Sequence, residues 1–173
     1  ATITSTSGSL TLSGITGASG YVENTAGMRL NSGARVSSGT GAISLTGSAG
    51  ANAYGTSSHG VQINSGATVT SSGGNVTVSG TFNNPSATSG TGLTILGAVS
   101  AANQLSLTAP ATVGNTAGTG LDIGTTAVIS AGSGGLTATG TVSSSTTATS
   151  AIATSVQGSV SSTAAISISG TVS

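Results

Sequence analysis

Only five side chains in this 173-residue chain can titrate near neutrality or carry formal charge: Glu23, Arg29, Arg35, Asp122 and His59. General acid/base chemistry on a glycoside needs two carboxyl groups roughly 5–10 Å apart, and Glu23 and Asp122 are the only two present. They lie about three repeats apart in the pattern described below, so stacking separates them by roughly 14 Å along the axis. His59 has no carboxylate or cysteine beside it and stands before Gly60, which reads as a solvated loop histidine. There is no cysteine, hence no thiol nucleophile, disulfide framework or thiolate metal site. The sequence contains no G-x-S-x-G, P-loop or G-x-G-x-x-G. The pairs Gly90/Gly92 and Gly118/Gly120 each precede a strand, which is turn chemistry rather than a phosphate cradle. The expectation is therefore no enzyme, no cofactor and no metal. Arg29, in the same outward position as Gln62, Thr94 and Asp122, is left to pair with Glu23 across a turn, a surface contact worth at most about 1 kcal/mol.

Composition excludes further classes. Charged residues make up 2% of the chain and aromatics 2%, about a tenth of the usual charged fraction. Without basic clusters or stacking aromatics, the electrostatic and platform terms of nucleic-acid binding are missing. No run of 18 apolar residues is present for a membrane helix, and neither a starting Met nor a signal peptide precedes Ala1, as if the chain were processed or excised from something longer. A nearly uncharged surface gives weak colloidal repulsion, which suits an extracellular setting.

The elements that would position these few groups come from a repeat of about 33 residues. Gly27 to Gly47 (GMRLNSGARVSSGTGAISLTG) aligns without a gap to Gly60 to Gly80 (GVQINSGATVTSSGGNVTVSG), and again to Gly120 to Gly140 (GLDIGTTAVISAGSGGLTATG). Val61, Ile63, Val69 and Val76 become Leu121, Ile123, Ile129 and Leu136. A shortened copy places Leu93, Ile95, Val99, Leu105 and Leu107 in the same columns, and a degraded one offers Ile152, Val160, Ile166 and Ile168. Ile3, Leu10 and Leu12 stand 33 residues before Val36, Ile43 and Leu45. The division is a partial repeat 1–26, repeats 27–59, 60–91, 92–119 and 120–150, and a degraded repeat 151–173.

Apolar residues alternate with period two inside short runs separated by Gly, Asn and Ser, which predicts strands. In the second copy these are Val61 to Asn64, Ala67 to Ser71 and Asn75 to Ser79, with a fourth short run at Thr81 and Phe82. One repeat buries too few aliphatics to fold alone, so neighbours must stack. The architecture is all-β, a parallel β-solenoid of about five repeats of 28–33 residues, right-handed by the usual crossover rule. Asn31 and Asn64 then share a column, read as turn residues or as an amide ladder, and Tyr21 lies 33 residues before Tyr54. The stretches 47–59, 83–90 and 109–119 read as loops bulging from one corner, and Phe82 as the cap of a hydrophobic column. Asn75-Val76-Thr77 is a formal glycosylation triplet that falls inside a predicted strand and is taken as accidental.

One outward pattern stands out. The residues flanking the inward pair of the third strand are hydroxylic in every copy: Thr11 and Ser13, Ser44 and Thr46, Thr77 and Ser79, Ser106 and Thr108, Thr137 and Thr139, Ser167 and Ser169. Thr and Ser suit exposed strands, but in register they also form a flat, uncharged ladder able to pack against another shaft or to recognise ice or a glycan.

The recurring text GTGLTILGAVSAANQLSLTAP and GTGLDIGTTAVISAGSGGLTATG resembles the β-strand repeats of large secreted bacterial adhesins of the filamentous-haemagglutinin type and related autotransporter passengers. The resemblance covers nearly the whole chain and rests on pattern. It implies a long β-helix on the bacterial cell surface, acting as a shaft or adhesive fibre that associates with itself end to end or laterally and meets host or neighbouring-cell glycans. No Arg-Gly-Asp tripeptide accompanies it. The expectation is an extracellular structural or adhesive fibre, and the alternative a binding module that uses the Ser/Thr ladder.

Overall fold

The computed structural model describes residues 1–17, 22–54, 57–114, 117–144 and 150–173. Among them every regular element is a strand, and the chain winds as a parallel β-solenoid. The first coil carries β1 (Thr2–Ser5), β2 (Leu10–Thr16), β3 (Val22–Glu23) and β4 (Ala26–Leu30). The second carries β5 (Arg35–Ser38), β6 (Ile43–Ala49), β7 (Ala53–Tyr54) and β8 (His59–Ile63). Then follow β9 (Thr68–Ser71), β10 (Val76–Asn83) and β11 (Ser89–Ile95); β12 (Ala98–Ala101), β13 (Leu105–Val113) and β14 (Ala117–Ile123); and β15 (Val128–Ala131), β16 (Leu136–Ser144) and β17 (Ser150–Val156). The last two strands are β18 (Ser159–Ser162) and β19 (Ile166–Val172).

Each strand pairs in parallel with its counterpart one coil away. The first sheet runs β1-β5-β9-β12-β15-β18, the second β2-β6-β10-β13-β16-β19, and the third β4-β8-β11-β14-β17, with β3 and β7 forming a separate pair. Period-two alternation drives this: along β10 the even positions Val76, Val78, Gly80 and Phe82 are buried while Thr77, Ser79 and Thr81 face outward. Like then stacks on like. Ile3, Val36, Val69, Val99, Ile129 and Val160 form one column, and Leu10, Ile43, Val76, Leu105, Leu136 and Ile166 another.

Corners are set by local chemistry. At Asn31-Ser32-Gly33 and Asn64-Ser65-Gly66 the chain turns through Gly33 (φ 76°) and Gly66 (φ 80°), a left-handed conformation that glycine adopts without steric cost. Ala34 and Ala67 donate back to the Asn31 and Asn64 carbonyls at 2.9 and 3.0 Å. Asn64 Nδ2 also donates to Asn31 Oδ1 at 3.2 Å, so the asparagines are turn residues and a ladder rung at once. At the next corner Ser38 and Ser71 are buried, and their hydroxyls donate to the Gly8 and Gly41 carbonyls at 3.1 and 2.8 Å. Ala101 and Ala131 continue that column.

The stretches expected to be loops form a second lobe instead. The fourth run at Thr81 and Phe82 is continuous with the third strand, and β13 and β16 run on through 109–113 and 140–144. The beginnings of β11 and β14 cover their far ends. Ala49, Ala53, Phe82, Ala87, Ala111, Val113 and Val142 make a core of their own, separate from the main one. Phe82 is fully buried at its centre rather than capping a main-lobe column. Two glycine columns pinch the coil between the lobes. A Cβ on Gly60 would lie 2.2 Å from Thr81 N, and one on Gly80 would lie 2.2 Å from the Gly92 carbonyl oxygen. Backbone meets backbone at these two positions, which leaves no room for a side chain on Gly60 or Gly80, whereas Ala109 and Ala153 take the same columns at other rungs.

Two further columns differ from expectation. Ile152 pairs with Thr119, while Thr154 and Val156 continue the columns of Leu121 and Ile123; the last copy is therefore shifted by two residues along its strand. Tyr54 pairs with Glu23 rather than with the position 33 residues before it, although the strands on either side keep that offset. Tyr21 lies outside the described residues.

Candidate functional face

The second sheet positions the twelve hydroxylic residues. Its register aligns Thr11, Ser44, Thr77, Ser106, Thr137 and Ser167 in one column, and Ser13, Thr46, Ser79, Thr108, Thr139 and Ser169 in the next. All twelve are exposed or half-buried. Neighbours stand about 4.8 Å apart across the ladder and about 6.7 Å apart along a strand. The first column alternates Thr and Ser strictly, and in the first four rungs the second alternates in opposite phase, a checkerboard of threonine methyls and serine gaps.

Beneath the face Ile43, Leu45, Val76, Val78, Leu105, Leu107 and Leu136 are buried. Close-packed aliphatics leave such a sheet little freedom to flex. Among the described residues, only Thr139 Oγ1 and Ser169 Oγ of the twelve hydroxyls find a protein partner, each other, at 3.2 Å.

The face is wider than the sequence reading had it. Ser48, Thr81, Thr141 and Thr171 extend it as a third column, with Ile15 and Pro110 in the remaining rungs. The signal was present: the period of two runs on past Gly47, Gly80, Gly140 and Gly170, but a glycine in a strand reads as its end. A column of Thr4, Ser37, Thr70, Ser100, Ser130 and Ser161 on the first sheet was missed as well. These hydroxyls bond within the sheet, Ser37 to Thr4 at 3.3 Å, Ser100 to Thr70 at 3.1 Å and Ser161 to the Ile129 carbonyl at 3.2 Å. The adjacent outward column there holds Thr2, Arg35, Thr68, Ala98, Val128 and Ser159, so that face is neither uniform nor uncharged.

The titratable residues sit elsewhere. Arg29, Gln62, Thr94, Asp122 and Ser155 share one column of the third sheet, with Arg29 and Asp122 three rungs apart; Thr94, expected to face outward, is buried beneath the His59 ring. Arg29 donates to the Asn24 carbonyl at 3.4 Å; the Glu23 side chain expected to pair with it lies outside the described residues. Partial burial pushes the Asp122 carboxyl up, opposed by a hydrogen bond to Ser155. Gln62 Oε1 is buried without a partner.

His59 is not a solvated loop residue. It opens β8, is buried, and its Nδ1 lies 3.1 Å from Thr94 Oγ1. His59 pairs with Thr91 and Val61 with Leu93 in one continuous register, and the ring reaches along the neighbouring strand to Thr94. Burial, with the positive charge of Arg29, lowers its pKa to about 4. Asn75 of the glycosylation triplet is exposed at a corner one residue before β10, and its Oδ1 accepts from Gln104 N at 3.2 Å; it is not inside the strand. No group of three or more metal-ligating side chains gathers among the described residues, and they contain no helix long and apolar enough to cross a membrane.

No family model, curated protein or solved structure matches the chain.

Proposed function

We propose that the chain is a shaft segment of an extracellular structural or adhesive fibre on a bacterial surface, of the filamentous-haemagglutinin kind in pattern, with no chemistry performed by its side chains. The observation that carries this reading is unbroken register: six strands of the first sheet and six of the second stack with like residues over like. Such a ladder grows by adding coils, because each new strand satisfies the backbone groups of the last and buries the same aliphatic column. Ile166, Ile168 and Val172 in β19 continue inward columns and are 46%, 40% and 52% exposed. A further coil, of a longer chain or a second copy, would cover them. The weak charge supports close approach of neighbouring shafts at small desolvation cost.

Electron microscopy and sedimentation over a concentration series test the reading. Uniform filaments with an axial repeat of about 4.8 Å are the expected result. A particle of single-chain mass at every concentration would remove self-assembly from the proposal and leave a spacer.

A further inference from the structure

The hydroxyls of the second sheet are arranged for a ligand that is itself periodic. Most are left without a protein partner, although adjacent strands bring them close enough to bond sideways, as the first sheet's hydroxyls do. Each unpaired hydroxyl offers one donor and two acceptor positions, so it can both accept from and donate to water and stand in for one lattice neighbour of a tetrahedral water molecule. The described outward columns of this face carry no charge, so no strongly hydrated ion disorders the water above them. The exposed methyls of Thr11, Thr46, Thr77, Thr108 and Thr137 stand beside hydroxyls and favour ordered over mobile water at the surface. Six rungs at about 4.8 Å give a grid roughly 24 Å long, held by the aliphatic core beneath.

We infer that this face binds ice, taking a lattice plane of crystalline water as its ligand through the columns that begin at Thr11 and Ser13. The two columns are uncharged and repeat in two directions at the scale of hydrogen-bonded water, and bound waters bridge such hydroxyls nearly as well as direct partners would. The binding does not depend on whether the shaft extends into a fibre.

The test is thermal hysteresis and inhibition of ice recrystallisation by the purified chain, with Thr77→Tyr/Thr108→Tyr on the face and Thr70→Tyr on the first sheet as control. The expected result is faceted ice and a hysteresis gap that the double variant abolishes and the control keeps, all three proteins giving the same circular dichroism. Ice growth indistinguishable from buffer, or activity retained by the double variant, overturns the proposal. So does a wild type that sediments as paired shafts and a double variant that sediments singly, since the face would then be occupied by a second copy. Should the double variant fail to fold, Ser44→Thr/Ser106→Thr decides: it makes the first column threonine from Thr11 to Thr137 and should raise hysteresis, and no rise sinks the idea.

Discussion

The main lobe and the side lobe are closed by the same strands, yet one is a repeated column and the other a single fitted assembly. In the main lobe successive rungs return an aliphatic residue to the same place, as in Leu12, Leu45, Val78 and Leu107, with the smaller Ala138 next in the column. In the side lobe the matching column reads Ala49, Phe82, Ala111 and Val142. One ring fills the centre, alanines above and below make room for it, and Gly90 faces it so closely that a Cβ would lie 2.2 Å from Phe82 Cε1. Repetition lets the main lobe extend by copying; the side lobe is specified once, by complementary sizes. Coil length therefore varies through the side lobe at little cost to the register of the main one.

The largest effect is expected at the neck that keeps the two apart. Gly80→Val would force a side chain into the Gly92 backbone, and backbone cannot give way as a side-chain tip can. We expect a loss above about 4 kcal/mol, read as failure to fold or a collapse of the urea midpoint. Gly33→Ala is the contrast: open space surrounds it, only its φ of 76° opposes the methyl, and the cost should be about 1–2 kcal/mol. Equal effects from the two would mean that the neck is not a packing constraint.

Next in size are the two cores. Phe82→Ala should cost about 3–5 kcal/mol and Leu107→Ala about 2–5 kcal/mol, so single values do not separate the lobes. Coupling does. Gly90→Ala should be strongly destabilising in the native chain and much less so beside Phe82→Leu, an interaction of about 1 kcal/mol or more in a double-mutant cycle. Leu45→Ala and Leu107→Ala, two rungs apart in one column, should instead act nearly additively. Additivity in the side lobe would refute the single-fit description.

The same contrast explains what could be read from the sequence. The main-lobe columns were legible because stacking demands the same residue class at each return, so Val36 predicts Val69 and Leu45 predicts Val78. The alignment of the twelve hydroxylic residues followed from that register. Phe82 offered no such cue: nothing in Ala49 or Ala111 resembles it, and Gly80 reads as a strand end although the strand continues. Ile152 misled because it is the only large aliphatic near its place, whereas pairing follows the backbone and puts Thr154 on Leu121. The burial of His59 had no cue in the repeat, because the positions paired with it, Ala26 and Thr91, carry no ring and nothing in the spacing joins His59 to Thr94.

That histidine probes the neck by titration. Its folded pKa of about 4 lies below the ordinary imidazole value of 6.5, so the unfolded chain binds the extra proton first and stability falls as pH drops. The stability is fully present above about pH 6.5, declines between there and about pH 4, and levels off below. The full shift corresponds to roughly 3 kcal/mol. His59→Gln should flatten this part of the stability curve, since Asp122 titrates with the opposite chemistry and farther along the axis. A His59→Gln protein with the same acid dependence would mean that the neck stays hydrated.

The smallest effect belongs to the corner of the main lobe. Asn64 Nδ2 donates to Asn31 Oδ1 across one rung at 3.2 Å, an exposed contact, while the turn beneath is held independently by Ala67 N on the Asn64 carbonyl at 3.0 Å. Asn64→Ala removes the first and spares the second, so the loss should be about 0.5–1.5 kcal/mol, seen as a small shift in the denaturant midpoint at unchanged slope. Asn64→Asp keeps the turn chemistry but replaces the amide donor with an acceptor facing Asn31 Oδ1. Unless the Asn31 amide flips to donate instead, it should be no more stable than alanine at neutral pH and should recover when the carboxyl is protonated. A variant as stable as the parent would assign the corner wholly to its backbone turn and leave the amide rung without energetic weight.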